Sequence, residues 1–327
     1  MVKSFSVWVR KDEAAKLEDL PLECHINLWH PRKESPFIDI GLMIPLVQDF
    51  NEVLFALPFS IDRNNGGKIK DLYEEFAIKG IPALIFNTDC TYETKYKQGN
   101  DSLAVLTINN ESPKKIMLVP AKSDSNYGVD IDEAEGIVRI DVSKIREKSG
   151  HDQYNNAYMR FRVLSNNIKA ELFCDTKKKN WFLESAFTRT QIIDLKINEI
   201  RNIDVSLNTK LLNDGWFLAK LSKVHFFIME PAENQIIYGG NDADCRYLEK
   251  EWEAYLKDIY EGADNLLAYH WKKKPKELVD SYSKLVTISS SETRWSVIIV
   301  YIIVVILLSA AGSCLYDKII GALNCVH

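Results

Sequence analysis

"RWSVIIVYIIVVILLSAAGSCLYDK", residues 294–318, decides how the rest of the chain is read. From Trp295 to Tyr316 no side chain is charged, and about 20 such residues in a helix cross the hydrocarbon core of a bilayer. Val297–Val300 and Ile302–Ile306 are all β-branched, a density unusual in a soluble helix and compatible with lipid. Trp295 and Tyr316 stand at the two ends, where interfacial aromatics belong. The stretch therefore predicts one transmembrane helix over 294–317, with a short tail at 318–327.

Orientation follows from the flanks. "HWKKKPK" (270–276), Lys284 and Arg294 lie upstream, while downstream only Lys318 is basic, beside Asp317. The positive-inside rule places everything N-terminal to the span in the cytoplasm. Lys272, Lys273, Lys274, Arg294, Trp295 and Tyr316 are the expected contacts with the membrane interface. The N-terminal "MVKSFSVWVRKDEAAKLEDL" lacks the apolar core and small-residue cleavage site of a secretory signal.

Ahead of the span, the composition is that of a folded protein: 327 residues, 46% hydrophobic and 27% charged. A net charge of -5 excludes a general nucleic-acid coat but leaves room for a local basic site. Cys24, Cys90, Cys174 and Cys245 are scattered, without the tight spacing of a zinc motif or a disulfide framework. They read as free, buried thiols.

Alternating or short apolar runs predict strands at 37–46, 51–59, 81–89, 103–109, 114–120, 136–143, 157–165, 189–200 and 222–230. Segment 69–80 has helical spacing with Gly80 at a C-cap position. In 242–262, Leu248, Trp252, Tyr255, Leu256 and Ile259 fall on one side of an amphipathic helix, and a second helix is expected around "ADNLLAYHW". The expected fold class is α+β: a β-rich, sandwich-like cytosolic domain, a helical neck and a single C-terminal transmembrane helix. Its parts are two β-rich regions, 1–150 and 151–240, and a neck with a basic juxtamembrane linker over 241–293.

Catalytic motifs are missing. The sequence holds no P-loop, no GxSxG elbow and no HExxH. His25 and His30, five apart in "HINLWH", form no standard ligand pair, so neither a metal site nor a cofactor is expected, and no residue is assigned a catalytic role. A basic and aromatic set remains: Arg160 and Arg162 on one strand face, Lys177, Lys178, Lys179 and Trp181 in "TKKKNWF", and Arg189. Guanidinium groups, lysines and a stacking indole suit a nucleotide or a short single-stranded oligonucleotide. The same arginines could instead be paired to Glu171, Glu184 or Asp194.

Within the span, Ser309 and Ser313 form a small-xxx-small pair around Gly312. The series Ser309, Ser313, Asp317, Gly321 drifts only about 40° per step, giving one polar stripe. Four or more copies around an axis would hide that stripe and place the acidic Asp317 at a pore mouth, favouring cations. A plain anchor or tight dimer uses the same small residues for packing.

This layout, with its "RWSVIIVYIIVVILLSAAGSCLYDK" span, resembles the membrane effectors of bacterial antiphage systems of the CBASS-like and Hailong type. The resemblance implies a cytosolic sensor of a nucleotide or oligonucleotide signal whose oligomerised helices permeabilise the bacterial inner membrane. It also implies a homo-oligomer, and an operon-encoded partner protein is a further expectation. The alternatives are a tail-anchored hydrolase or nuclease and a membrane-tethered scaffold.

Overall fold

The computed structural model describes the chain except residues 1–2, 13–14, 17–20, 32–33, 97–101, 110–112, 124–125, 151–153, 176–187, 261–262, 274–277, 292–294 and 325–327. Along the chain, β1 (Ser6–Lys11), β2 (Leu22–Trp29), β3 (Phe37–Pro45) and β4 (Phe50–Ala56) precede β5 (Lys68–Asp71) and α1 (Ile81–Phe86). There follow β6 (Cys90–Tyr96), β7 (Ser102–Ile108), β8 (Lys114–Val119), β9 (Val129–Asp132), β10 (Ile137–Asp141) and α2 (Val142–Ser149). Next come β11 (Asn156–Leu164), α3 (Asn167–Leu172), β12 (Phe173–Asp175), β13 (Thr188–Ile197) and α4 (Val205–Asn213). The last run is β14 (Phe217–Leu218), β15 (Leu221–Pro231), β16 (Gln235–Tyr238), β17 (Asp244–Tyr247), α5 (Glu251–Leu256), β18 (Leu266–Lys273), β19 (Tyr282–Ser291) and α6 (Trp295–Asn324).

A ten-stranded sheet in the order β17-β18-β15-β2-β3-β11-β8-β7-β6 forms the middle layer, with β5 also pairing β11. β2 runs parallel to β15, and β11 runs parallel to β8; the other pairs are antiparallel. Such a sheet must bury both faces, and it does. One face meets a five-stranded sheet (β14-β1-β4-β10-β9) and a four-stranded sheet (β12-β13-β19-β16). There Ile26, Leu28, Ile38 and Ile40 pack with Val7, Phe55, Ile193 and Val286 in one core. The opposite face is covered by α1, α5 and the turn at 74–77, around Trp29, Phe76, Tyr158 and Trp252. Period-2 patterning puts apolar side chains on the buried faces of these strands, so the expected strand-rich, sandwich-like α+β class is what the chain adopts.

Several expectations are corrected. Residues 81–89 start as α1 rather than a strand: Gly80 turns the chain at φ 91°, Pro82 fits the first helical turn, and Asn87 closes it at φ 52°. Segment 69–80 splits into β5 and a 3-10 turn at Glu74–Ala77. The division into 1–150 and 151–240 does not hold, because β11 and β15 are inner strands of the sheet that contains β2 and β3.

Among the described residues of 241–293 there is no helical neck: α5 covers only Glu251–Leu256, while β17, β18 and β19 are sheet strands. Trp252, Tyr255 and Leu256 are nonetheless buried as one apolar face. "LLAYHWKK" follows tertiary pairing with β15 rather than local helix propensity.

α6 is a continuous 30-residue helix, about 45 Å long at the α-helical rise. Its segment Ile298–Tyr316 is long and apolar enough to cross a membrane, and none of it is buried against the rest of the protein.

Candidate functional site

The face of the central sheet beneath α1 and α5 should be uniformly apolar if it served packing alone. Instead, polar side chains run across it in successive rows. Register places Lys223, Glu23 and Met43 in one row, with Tyr158 beside Met43. His225, His25, Gly41 and Arg160 form the next. Phe227, Asn27, Asp39 and Arg162 form a third, with His270 opposite Phe227.

Asp39, fully buried, is the anchor of this face. Arg162 grips it bidentately, Nε to Oδ1 at 2.5 Å and Nη2 to Oδ2 at 2.8 Å. Trp29 Nε1 and the Tyr255 hydroxyl donate to Oδ2 at 3.0 and 2.8 Å. Arg160 donates from Nε to the Tyr255 hydroxyl at 2.9 Å and from Nη1 to the Tyr158 hydroxyl at 3.3 Å. Its Nη2 stands 3.7 Å from Asp39 Oδ2, a charge contact and not a hydrogen bond. Arg162 also lies 4.8 Å over the rings of Phe37 and Tyr255.

Burial alone would raise the Asp39 pKa, but the Arg162 charge and hydrogen bonds, with Arg160 and Tyr255, hold it below the ordinary carboxylate value. Burial and the Arg160 charge act oppositely on Tyr255, and burial prevails, pushing its hydroxyl up. Both arginines stay charged, because nearby Asp39 and the tyrosines outweigh desolvation.

Beside this ion-pair cluster lies an imidazole group. The His25 and His225 rings are 4.7 Å apart between centroids, and His225 Nδ1 is 3.0 Å from His270 Nε2. His25 Nδ1 is 3.3 Å from the Tyr158 hydroxyl. That contact crosses over β3 at Gly41, where a Cβ would meet the Tyr158 hydroxyl oxygen at 2.0 Å. Glycine is required there for space, since its backbone is not left-handed. Gly41→Ala is expected to destabilise the protein by about 1–3 kcal/mol, read as a lower denaturation midpoint. An unchanged midpoint would mean that Tyr158 has an alternative seat.

Burial, then the charges of His225, Arg160, Lys223 and His270, lowers the His25 pKa well below the ordinary imidazole value. Burial and His270 bring His225 down to about 3, and burial chiefly brings His270 to about 4. All three rings are thus neutral at pH 7. Among the described residues, Glu23, His25 and His225 are the group able to hold a metal ion.

The expected nucleotide-binding set is not brought together on an open face. Arg160 and Arg162 are buried at 2% and 1% exposure, and their acidic partner is Asp39 rather than Glu171 or Asp194, while Glu184 lies outside the described residues. Arg189 pairs with Asp175 at 2.7 Å. Lys177, Lys178, Lys179 and Trp181 lie outside the described residues, as do Lys274 and Arg294. Lys272 and Lys273 are exposed at the end of β18. Trp295 and Tyr316 are exposed on α6, as are Ser309, Gly312 and Ser313; Asp317 is helical, with its side chain outside the described residues. Of the thiols, Cys24 is buried and its pKa is pushed up to about 12, which makes it inert. Cys174 and Cys245 are exposed, against expectation.

No family model and no curated protein matches the chain. Among solved structures, the Fcho1 Mu homology domain from Danio rerio with bound Eps15 peptide is 8% identical, covers 89% of this chain and 80% of its own, and has a TM-score of 0.15. A likeness of that size shows neither fold nor function.

Proposed function

We propose that the chain is a membrane effector of antiphage-defence type, not an enzyme. In this reading the β-rich domain stands at the cytoplasmic face of the bacterial inner membrane, and the spans of several copies assemble into a gated pore. The observation that supports it is α6: its apolar stretch Ile298–Tyr316 has no cover within the chain, so lipid or other copies must cover it. Ser309 and Ser313 recur on one stripe of that helix, with Asp317 at its end, and a single copy would leave the two serines against lipid. A nucleotide signal or partner protein that binds one arrangement of the domains better than the other shifts the spans from closed to open packing.

Arg160 and Arg162 take no part in receiving the signal, since both are buried, Arg162 on Asp39 and Arg160 on Tyr158 and Tyr255. The expected result is cation-selective conductance from the purified full-length protein in planar bilayers, weakened in selectivity by Asp317→Asn. Normal insertion without conductance in any state overturns the pore reading.

A further inference from the structure

Glu23, His25 and His225 each place one ligand atom in a common space, with all three atoms within 4.8 Å of one another. We propose that they bind a divalent transition cation of the zinc class. Two imidazoles and a carboxylate are a donor set for Zn2+ and its neighbours, whereas Ca2+ and Mg2+ take oxygen ligands. Three protein ligands leave a fourth position for water or substrate. His25 is buried, while Glu23 and His225 are half-buried, so the ion enters from the side of Glu23 and His225.

Two further observations point to a ligand. His25 Nε2 is buried with no hydrogen-bond partner, a costly state that a metal bond would relieve. His25 Nδ1 is engaged by the Tyr158 hydroxyl and His225 Nδ1 by His270 Nε2, which leaves Nε2 of each ring as the nitrogen open to an ion. Metal-ligating histidines are oriented in this way by an outer partner. Lys223 Nζ pairs with Glu23, so an ammonium already neutralises the carboxylate that would bind the dication. Lys223 is about one-third exposed, and its flexible stem lets it leave for solvent.

One competing account explains the same orphan atom. A void of about 10 Å³ is lined by His25, Asn27 and Arg160, the residues whose Nε2, Oδ1 and Nη2 lack partners. That volume suits one water. His25 has a single free nitrogen, so water and metal exclude one another there.

The test uses full-length, tag-free protein in detergent, stripped with chelator and titrated with Zn2+ by calorimetry and with Co2+ by visible absorption. The wild type is expected to take up one equivalent, with Co2+ giving the intense bands of a low-coordinate site. His225→Gln and Glu23→Gln should abolish that uptake. His270→Ala leaves every ligand in place and should weaken it about 10- to 100-fold. Lys223→Met removes the competing cation and should tighten it by at least about tenfold. That gain cannot come from misfolding. Absence of stoichiometric uptake, uptake unchanged in His225→Gln, or no tightening in Lys223→Met overturns the site.

Discussion

Asp39→Ala is expected to destabilise the folded protein by about 3–5 kcal/mol, because it strands two buried guanidinium groups without their counter-charge. Asp39 is the acidic partner of both Arg160 and Arg162, and it accepts from Trp29 and Tyr255 as well. Asp39→Asn keeps the shape and one acceptor but loses the charge, so it should fall within the same range. Arg162→Met placed on Asp39→Asn should recover part of the loss, since replacing both members of a buried pair is far milder than removing one. Denaturant midpoints of the full-length chain in detergent read all three. A loss under about 1 kcal/mol for Asp39→Ala would show that water reaches the arginines.

The same residue sets an acid limb. Asp39 has a folded pKa below its unfolded value of about 3.9. The unfolded chain therefore binds the proton first as pH falls, and stability drops. This contribution is complete above the unfolded pKa and is lost progressively below about pH 4, down through the folded pKa. Between pH 6 and 8 Asp39 contributes no slope. In Asp39→Asn the acid limb should flatten, and a limb of unchanged steepness would assign it to other carboxylates.

How far the sequence could be read depends on where each partner lies. β13 and β15 announce themselves through alternation of buried and half-buried positions, and β3 through a continuous apolar run buried on both faces. Strand order does not. Arg162 meets Asp39 from 123 positions away, and His25 meets His225 through a parallel pairing of β2 with β15. The local signals were present nonetheless. Asp39 is the sole charged residue in the apolar run "FIDIGLMIP", and Glu23, His25 and Asn27 alternate along one face of "LECHINLW". His25 and His30 form no ligand pair because positions five apart lie on opposite faces of a strand, and that spacing carries no hint of the distant His225. Arg160 and Arg162 were legible as sharing a face, but no sequence pattern told that the face was an interior one, under Trp252 and Tyr255 of α5.

Removal of residues 294–327 is expected to move essentially all of the protein from the membrane to the soluble fraction while leaving its melting transition intact. The β-rich layers carry their own cores on both faces of the central sheet, and the Ile298–Tyr316 window contributes nothing to them. A folded, fully membrane-bound truncation would mean that Lys272 and Lys273 or another surface holds the bilayer. The length of α6 adds a finer expectation. Its roughly 45 Å exceeds a hydrocarbon core of about 30 Å and matches the full bilayer with headgroups. With Trp295 at one interface, Asp317 sits 22 residues on, about 33 Å along the axis. If α6 spans the bilayer as proposed, that length carries position 317 to the opposite headgroup layer, together with Lys318, and out of the hydrocarbon. Ser309 and Ser313 lie a turn or more inside that boundary. Bulky replacement, Ser309→Leu with Ser313→Leu, should leave membrane anchoring untouched and lower the oligomer mass measured in detergent. An unchanged mass would reduce the stripe to lipid-facing surface, and the span to an anchor.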